Sequence, residues 1–177
     1  IRDAWITMAP DGSLIGCIEL DGASGDGASG DGAAPWVRVP IGDTGVVADV
    51  MAGQRFTIGA DLAASIERWN PGAPVLHEVT FELTEAAELG RTVVDSVTDT
   101  IGFRTVETVG TDIVVNGKVV WLKGISLHAE GPTGGRRAHG DDDAATLLSW
   151  AVDLGANFVR LSHYQHDEAM VKATDRL

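Results

Sequence analysis

Cysteine and lysine are scarce in this chain of 177 residues. The single cysteine, Cys17, cannot form an internal disulfide, and one thiol cannot build a zinc site of the cysteine type. Three of the thirteen basic residues are lysines, and the longest basic cluster is Arg136–Arg137. Because the formal net charge is −13, we expect no surface that follows nucleic-acid phosphates and no nucleic-acid partner.

Long apolar runs are also missing, since none approaches the roughly 20 residues that span a bilayer. The chain opens on Ile1, without the charged and apolar regions of a signal peptide. We therefore expect no membrane partner, and a cytoplasmic location is favoured. A start without methionine also leads us to expect a piece of a longer protein.

Familiar catalytic and metal motifs are absent as well. No Gly-x-Ser-x-Gly sequence supports a serine hydrolase. His163, His166 and Asp167 are close in sequence, but no His-Glu-x-x-His pattern makes them a metal site. We predict neither a metal nor a cofactor.

The first hundred residues contain short strand patterns at near-regular spacing, with turn signals between them. Asp11-Gly12 is a strong hairpin signal between two such patterns, and Val75–Leu83 alternates apolar with intervening residues. This spacing is typical of a β-sandwich. We predict a mainly β fold with a sandwich domain over residues 1–110.

A five-residue repeat, Gly-Ala-Ser-Gly-Asp, interrupts these strands at residues 22–33. It offers no side chain that could build a core, so it is predicted to be a solvent loop. A long hairpin loop is favoured over a domain linker, because strand patterns of similar character resume at Trp36.

Strand and helix patterns alternate after Thr111. Asn116-Gly117 predicts a hairpin of Ile113–Val115 with Val119–Trp121, and the rest of the apolar run Val119–Leu127 predicts a strand that leads to His128. Apolar residues at helical spacing from Ala144 to Leu154 predict a helix that Gly155 ends. A short buried strand, Asn157–Leu161, is predicted next. Such a strand-helix-strand unit requires a parallel strand pair.

Polar side chains follow both of these strands. His128 and Glu130 come after the first, while Arg160 lies in the second and His163 and Tyr164 come after it. The carboxyl ends of parallel strands meet at one edge of a sheet, where parallel barrels place their active sites. We therefore expect one active-site rim.

The rim residues also have structural interpretations. Arg160 lies in an apolar strand pattern, so it needs a carboxylate or backbone partner. That partner belongs either to an internal ion pair or to a catalytic group that Arg160 positions. For His163, a structural and a functional role remain open.

Several segments, taken in order along the chain, resemble glycoside hydrolase family 2, the β-galactosidases and β-glucuronidases. They are Trp69–Pro74, Ile101–Glu107, Val115–Lys118, Leu122–His128, Gly155–Arg160 and Ser162–Tyr164. The resemblance implies an immunoglobulin-like β-sandwich at residues 1–110, followed at residues 111–177 by part of a (β/α)₈ barrel. That part comprises the barrel's first strand, first helix, second strand and the start of its second helix.

The resemblance also implies a retaining mechanism with two catalytic glutamates, the first directly after an asparagine. The asparagines of this chain precede Pro71, Gly117 and Phe158, so no Asn-Glu pair is present. We therefore expect no catalytic residue in this chain and no activity of the chain by itself. A complete barrel takes about 250 residues, which agrees with a partial one here.

Candidate binding residues are carried over position by position. The resemblance implies sugar binding by His128, Arg160 and His163, and support of these side chains by Glu130, Asn157 and Tyr164. Two positions depart from the family pattern: Ala129 stands where glutamate is usual, and Gln165 where proline is usual. The first departure places the role of Glu130 in question.

The function implied is hydrolysis of terminal β-glycosides by an exo-glycosidase of the β-galactosidase type. Its partners would be a carbohydrate substrate and the remainder of the parent chain, with a second copy of the protein as a further candidate. The alternative is a non-catalytic β-sandwich module that binds carbohydrate or protein.

Overall fold

The computed structural model describes residues 1–21, 35–53, 55–88 and 90–177, which form two compact units. The first unit comprises Ile1–Arg68 and Leu76–Val106, and the second comprises Trp69–Val75 and Glu107–Leu177. The repeat at 22–33, predicted to be a solvent loop, lies outside the described residues.

The first unit contains two antiparallel sheets. Its strands are β1 (Asp3–Met8), β2 (Leu14–Glu19), β3 (Trp36–Ile41), β4 (Val46–Met51), β5 (Arg55–Ile58), β6 (His77–Ala87) and β7 (Gly90–Ile101). One sheet has the order β1-β2-β5 and the other β4-β3-β6-β7. A one-turn helix, α1 (Ala60–Ala63), follows β5.

Alternating side chains of both sheets bury a common core. Leu14 and Ile18 from one sheet, and Val37, Val39 and Phe81 from the other, are each at most 1% exposed. They belong to one continuous apolar cluster. A period of two places every second residue of a strand on the same face, so the predicted β-sandwich is confirmed.

The predicted hairpin between β1 and β2 is also present. The Asp11 carboxylate accepts hydrogen bonds from the backbone N–H and the hydroxyl of Ser13, at 2.9 and 2.6 Å. Gly12 adopts a φ of +85°, which is strained for any residue with a Cβ. These local interactions bring Met8 opposite Leu14.

The second unit combines a small antiparallel sheet with a parallel strand pair and two helices. Its elements are β8 (Val106–Val109), β9 (Asp112–Val115), β10 (Lys118–Val119), β11 (Gly124–Leu127), α2 (Gly140–Asp153), β12 (Phe158–Leu161) and α3 (Glu168–Asp175). The sheets have the orders β10-β9-β8 and β11-β12. None of the helices among the described residues is both long and apolar enough to cross a membrane.

The apolar run Val119–Leu127 contains the second strand of the predicted hairpin, confirmed by the pairing of β9 with β10, and the predicted strand toward His128, which is β11. The run is divided between β10 and β11, which pair with different neighbours. Trp121 lies between these strands and is 82% exposed. The chain must change sheets there, and hydrophobicity alone does not record such a change.

The parallel pair has one covered and one exposed face. Leu127, Val159 and Leu161 pack against the core formed with Leu148 of α2 and Met170 of α3. Neighbouring strand residues point the other way, and they are exposed. The prediction of a buried strand at Asn157–Leu161 is therefore wrong, because the helices cover only one face of the pair.

The helix boundaries follow their local signals. Gly155, with a φ of +72°, comes just after the end of α2, as predicted. Asp167 caps α3 by accepting the N–H of Ala169 at 2.9 Å. Such signals act within a single turn and can be recognised in the sequence.

The segment Trp69–Val75 is attached to the second unit by hydrogen bonds. The Asn116 amide donates to the carbonyl of Trp69 at 2.8 Å and to the side chain of Asn70 at 3.0 Å. The Trp69 indole donates to the carbonyl of Asp175 at 2.7 Å. These bonds explain why the segment separates from the strands that precede and follow it.

Candidate functional site

The ends of β11 and β12 bring two histidines together. His128 follows β11 directly, and His163 lies two residues after β12. The pairing of Leu127 with Leu161 continues one step further, where the N–H of Ser162 donates to the carbonyl of Leu127 at 2.8 Å. The two imidazole centroids are 5.5 Å apart, with their planes at 87°.

Tyr164, the one tyrosine of the chain, joins the two strand ends. Its ring centroid lies 6.4 Å from that of His128 and 5.9 Å from that of His163. Its hydroxyl oxygen accepts the backbone N–H of Ala129 at 3.2 Å. The ring also stacks on His166, with centroids 5.6 Å apart. Tyr164 thus ties the loop after β11 to the loop after β12.

Arg160 has surroundings that differ from the prediction. It lies on the exposed face of β12, opposite Ser126, and donates to the hydroxyl of Ser162 at 3.3 Å. Ser162 is 1% exposed, and its hydroxyl also shares a hydrogen bond with that of Ser126. The expected carboxylate or backbone partner is therefore replaced by a hydroxyl, because a guanidinium at the surface keeps its hydration.

Glu130 lies near the rim in a separate hairpin-like loop. Its backbone forms an antiparallel bridge with Arg137, and the N–H of Ala138 donates to the carbonyl of Ala129 at 3.0 Å. The Glu130 side chain is exposed. It faces an open depression that it shares with Arg136 and Arg137.

Asn157 lies at the opposite end of β12 from the histidines. Its side-chain oxygen accepts the N–H of Lys123 at 2.7 Å, and its amide donates to the carbonyl of Trp121 at 2.9 Å. The four-residue strand β12 separates this contact from the rim by about 13 Å. Asn157 therefore joins the amino ends of the two strands.

An ion pair that sequence reasoning missed holds the loop before α2. Both carboxylate oxygens of Asp143 accept from the Arg136 guanidinium, one of them at 2.7 Å, and the N–H of His139 donates to the same carboxylate at 3.0 Å. A Cβ on Gly131 would lie 3.1 Å from the Arg136 side chain, so glycine is favoured where the backbone passes this side chain. The Asp143 side chain is 11% exposed.

The Arg136 guanidinium and the His139 N–H hold the pKa of Asp143 well below its usual range. A lowered pKa in the folded state means that the ionised carboxylate stabilises the fold. That stabilisation is complete above the unfolded pKa of about 4 and is lost as the pH falls through the lower folded pKa.

Replacing Asp143 with asparagine is expected to release this loop. The neutral amide cannot form the charge-assisted pair with Arg136, so amide exchange in residues 131–139 should accelerate by about tenfold or more. Hydrogen exchange followed by mass spectrometry at pH 7 measures this.

The pH dependence provides the control for this variant. In the native chain, loop protection should fall as the pH is lowered below about 4, whereas Asp143→Asn should lose that dependence. Asp153→Asn, at the other end of α2, is the matched substitution that should leave the loop unchanged. Equal exchange rates in native chain and Asp143→Asn would contradict the role assigned to the ion pair.

Arg137 is the second feature that sequence reasoning missed. Its guanidinium carbon lies 5.4 Å from the Tyr164 ring centroid, and the group donates to the carbonyl of Gln165. Open depressions of about 620 and 500 Å³ adjoin this stack, and Arg137 and Tyr164 line both of them.

The described residues contain no group of three or more His, Cys, Asp or Glu side chains placed to hold a metal ion. The His128 and His163 rings instead pack against each other and against Tyr164. Imidazole and phenol groups at an exposed rim can form hydrogen bonds with hydroxyl groups of a ligand and contact its apolar faces.

Comparison with known proteins identifies relatives among glycosidases. No protein-family model matches the chain. A putative β-glucuronidase from Formosa agariphila is 34% identical over 114 residues, which are 62% of this chain and 13% of that protein. A β-galactosidase from an Arthrobacter species is 29% identical over 116 residues, or 64% of this chain and 10% of that protein.

The fold agrees with this similarity. The structure of the Lactobacillus rhamnosus β-glucuronidase matches with a TM-score of 0.71 and 26% identity, over 98% of this chain and 27% of that one. The chain thus spans about an eighth of the Formosa relative's length. Sequence and fold thus confirm the resemblance to glycoside hydrolase family 2, the family of the β-glucuronidases and β-galactosidases.

Proposed function

We propose that the chain is part of a retaining exo-glycosidase that removes terminal β-linked sugars. The observation that carries this proposal is the pair of histidines, His128 and His163, at the carboxyl ends of neighbouring parallel strands. The family resemblance assigns sugar contacts to both positions and to Arg160. Exposed donors grouped on a parallel sheet edge suit a ligand that carries many hydroxyl groups.

The proposed organisation is an immunoglobulin-like sandwich followed by the opening of a (β/α)₈ barrel. In this proposal β11, α2, β12 and α3 are the first two strands and helices of the barrel. The exposed face and the open strand edges of the β11–β12 pair support it, because parallel sheets are normally covered on both faces. The remainder of the parent chain would supply the missing strands.

A β-glucuronide is the first candidate substrate and a β-galactoside the second. The sequence favoured the galactosidase type, but β-glucuronidase is the more frequent name among the relatives. The Arthrobacter relative is named β-galactosidase, which supports a β-galactoside as the second candidate substrate. Both substrates offer hydroxyl groups to the histidine pair.

Hydrolysis with retention needs two carboxyl groups about 5–5.5 Å apart on either side of the scissile bond. Glu130 is the one carboxylate of the predicted rim, and no glutamate in this chain follows an asparagine. We therefore propose that the chain binds sugar and that the catalytic glutamates belong to a later part of the parent protein.

Extending the expressed gene beyond Leu177 tests the proposal. The longer protein is expected to hydrolyse p-nitrophenyl β-D-glucuronide or the β-D-galactoside, and the 177-residue chain is expected to hydrolyse neither. The matching α-glycosides serve as controls for anomeric selectivity. The change in absorbance of released nitrophenolate measures turnover.

Two results would contradict this proposal. Turnover by the 177-residue chain alone, at rates typical of glycosidases, would show that its catalytic groups lie within it. A stop codon directly after Leu177, together with sugar binding and no turnover, would support the non-catalytic sandwich module instead.

A further inference from the structure

We propose that Asn116 is a modification site, where spontaneous deamidation releases the segment Trp69–Val75. The side-chain amide of Asn116 ties this segment to the hairpin of β9 and β10 within the second unit. Asparagine is a chemically labile residue, and Gly117 follows it directly. The modification does not depend on the proposed glycosidase activity.

The turn between β9 and β10 places the amide beside its reaction partner. Val115 pairs with Lys118, so Asn116 and Gly117 form a two-residue hairpin loop. Their φ angles are +50° and +78°, in the left-handed region that a type I′ turn requires. Because glycine has no Cβ, its backbone nitrogen can approach the preceding side chain closely. Gly117 is also exposed to solvent.

The reaction consumes only water. The backbone nitrogen of Gly117 bonds to Cγ of Asn116, the Cγ–Nδ2 bond breaks, and Nδ2 leaves as ammonia with the proton from Gly117. Water then opens the resulting five-membered imide at either carbonyl, which yields aspartate or isoaspartate. The sum of these steps replaces the NH₂ of the amide with OH.

The native contacts of the amide should slow this reaction. The leaving nitrogen, Nδ2, donates to the carbonyl of Trp69 at 2.8 Å and to the side-chain oxygen of Asn70 at 3.0 Å. An amide has two N–H donors, and both are used in these bonds. Both bonds must break before ammonia can depart, so the folded chain protects Asn116.

The product of the reaction has the opposite effect on the same contacts. A carboxylate only accepts hydrogen bonds, and it would face the two oxygens that accept from the amide. Two hydrogen bonds are lost and their acceptors are left opposite a negative charge. Isoaspartate would also add one backbone carbon to the two-residue loop. Loss of the amide should therefore separate the segment from the hairpin.

The released segment can be followed through its own backbone. Asn70 and Ala73 exchange backbone hydrogen bonds at 3.3 and 3.0 Å, which closes a short turn. The Trp69 indole donates to the carbonyl of Asp175 at the end of α3. A short turn with fewer anchoring contacts opens more readily, so its N–H groups report whether Asn116 still holds the segment.

The other asparagines of the chain provide internal controls. Asn70 precedes Pro71, whose nitrogen carries no hydrogen and cannot attack. Asn157 precedes Phe158, whose side chain hinders the approach of its nitrogen. Deamidation should therefore be concentrated at Asn116.

Incubation of the chain at pH 8, followed by peptide mapping with mass spectrometry, tests the site. Deamidation is expected at Asn116, slowly in the folded chain and faster in urea, while Asn157 keeps its amide. Asn70→Ala removes one of the two acceptors and should accelerate the folded-state reaction about fivefold. Asn70→Asp keeps an acceptor and should not accelerate it.

Hydrogen exchange tests the release of the segment. Asn116→Asp imitates the product, and exchange in residues 70–73 should be about tenfold faster than in the native chain. Thr111→Asp, which adds a negative charge at an exposed position before β9, is the matched control and should leave this exchange unchanged. The deamidated native chain, separated by ion exchange, provides the same measurement on a chain that folded with its amide.

Three results would each overturn the inference. They are an intact amide at Asn116 after incubation in urea, equal deamidation rates in the native chain and Asn70→Ala, and native exchange in residues 70–73 of both Asn116→Asp and the deamidated chain.

Discussion

Replacing Phe81 with alanine is expected to destabilise the first unit by about 3–5 kcal/mol. Phe81 is 1% exposed and lies on β6 in the core shared by the two sheets. Truncation removes a buried ring and leaves a cavity that the surrounding strands can fill only in part. Amide hydrogen exchange in β3 and β6 measures the effect on this unit.

The control is the same substitution at Phe158. Phe158 is 44% exposed on β12, so Phe158→Ala should cost less than about 1.5 kcal/mol. Equal losses at the two positions would mean that the exposed face of β12 is covered in solution.

His163→Ala in the longer enzyme is expected to lower kcat/KM for a β-glycoside by about 10²–10³-fold. The loss follows from the proposed contact of His163 with the sugar, where a hydrogen bond strengthens as the transition state forms. The variant should keep its melting temperature, because His163 is exposed at the rim. Steady-state kinetics with the glycoside that the enzyme prefers provides the measurement.

Lys172→Ala is the control for this variant, because Lys172 pairs with Glu168 on the solvent side of α3. Its kcat/KM should match that of the native enzyme. An unchanged kcat/KM for His163→Ala would remove His163 from the sugar site and leave it a packing role against His128 and Tyr164.

Local signals allowed much of the fold to be predicted. Asp11-Gly12 marked the β1–β2 hairpin, and Gly155 marked the end of α2. In each case the interaction that decides the structure lies within a few residues of the signal. The alternation along β6 likewise indicated which side chains enter the sandwich core.

For the candidate site, the sequence predicted only which strand ends carry it. His128 and His163 were expected at one rim, and their rings lie 5.5 Å apart. The partner of Arg160 was not predictable, because the exposed face of β12 depends on where two helices pack. A strand pattern shows that residues alternate, but it does not show which faces are covered.

By itself the sequence determined the mainly β first unit, the strand-helix-strand unit that follows and the resemblance to glycoside hydrolase family 2. Only the tertiary structure decided that Arg136 pairs with Asp143, that Arg137 stacks on Tyr164 and that Asn157 joins the amino ends of the parallel strands. The physical reason is the separation along the chain of the residues that interact. Turns, caps and alternation depend on the nearest neighbours along the chain, whereas these contacts join residues 7 to 36 positions apart and depend on how loops and elements pack.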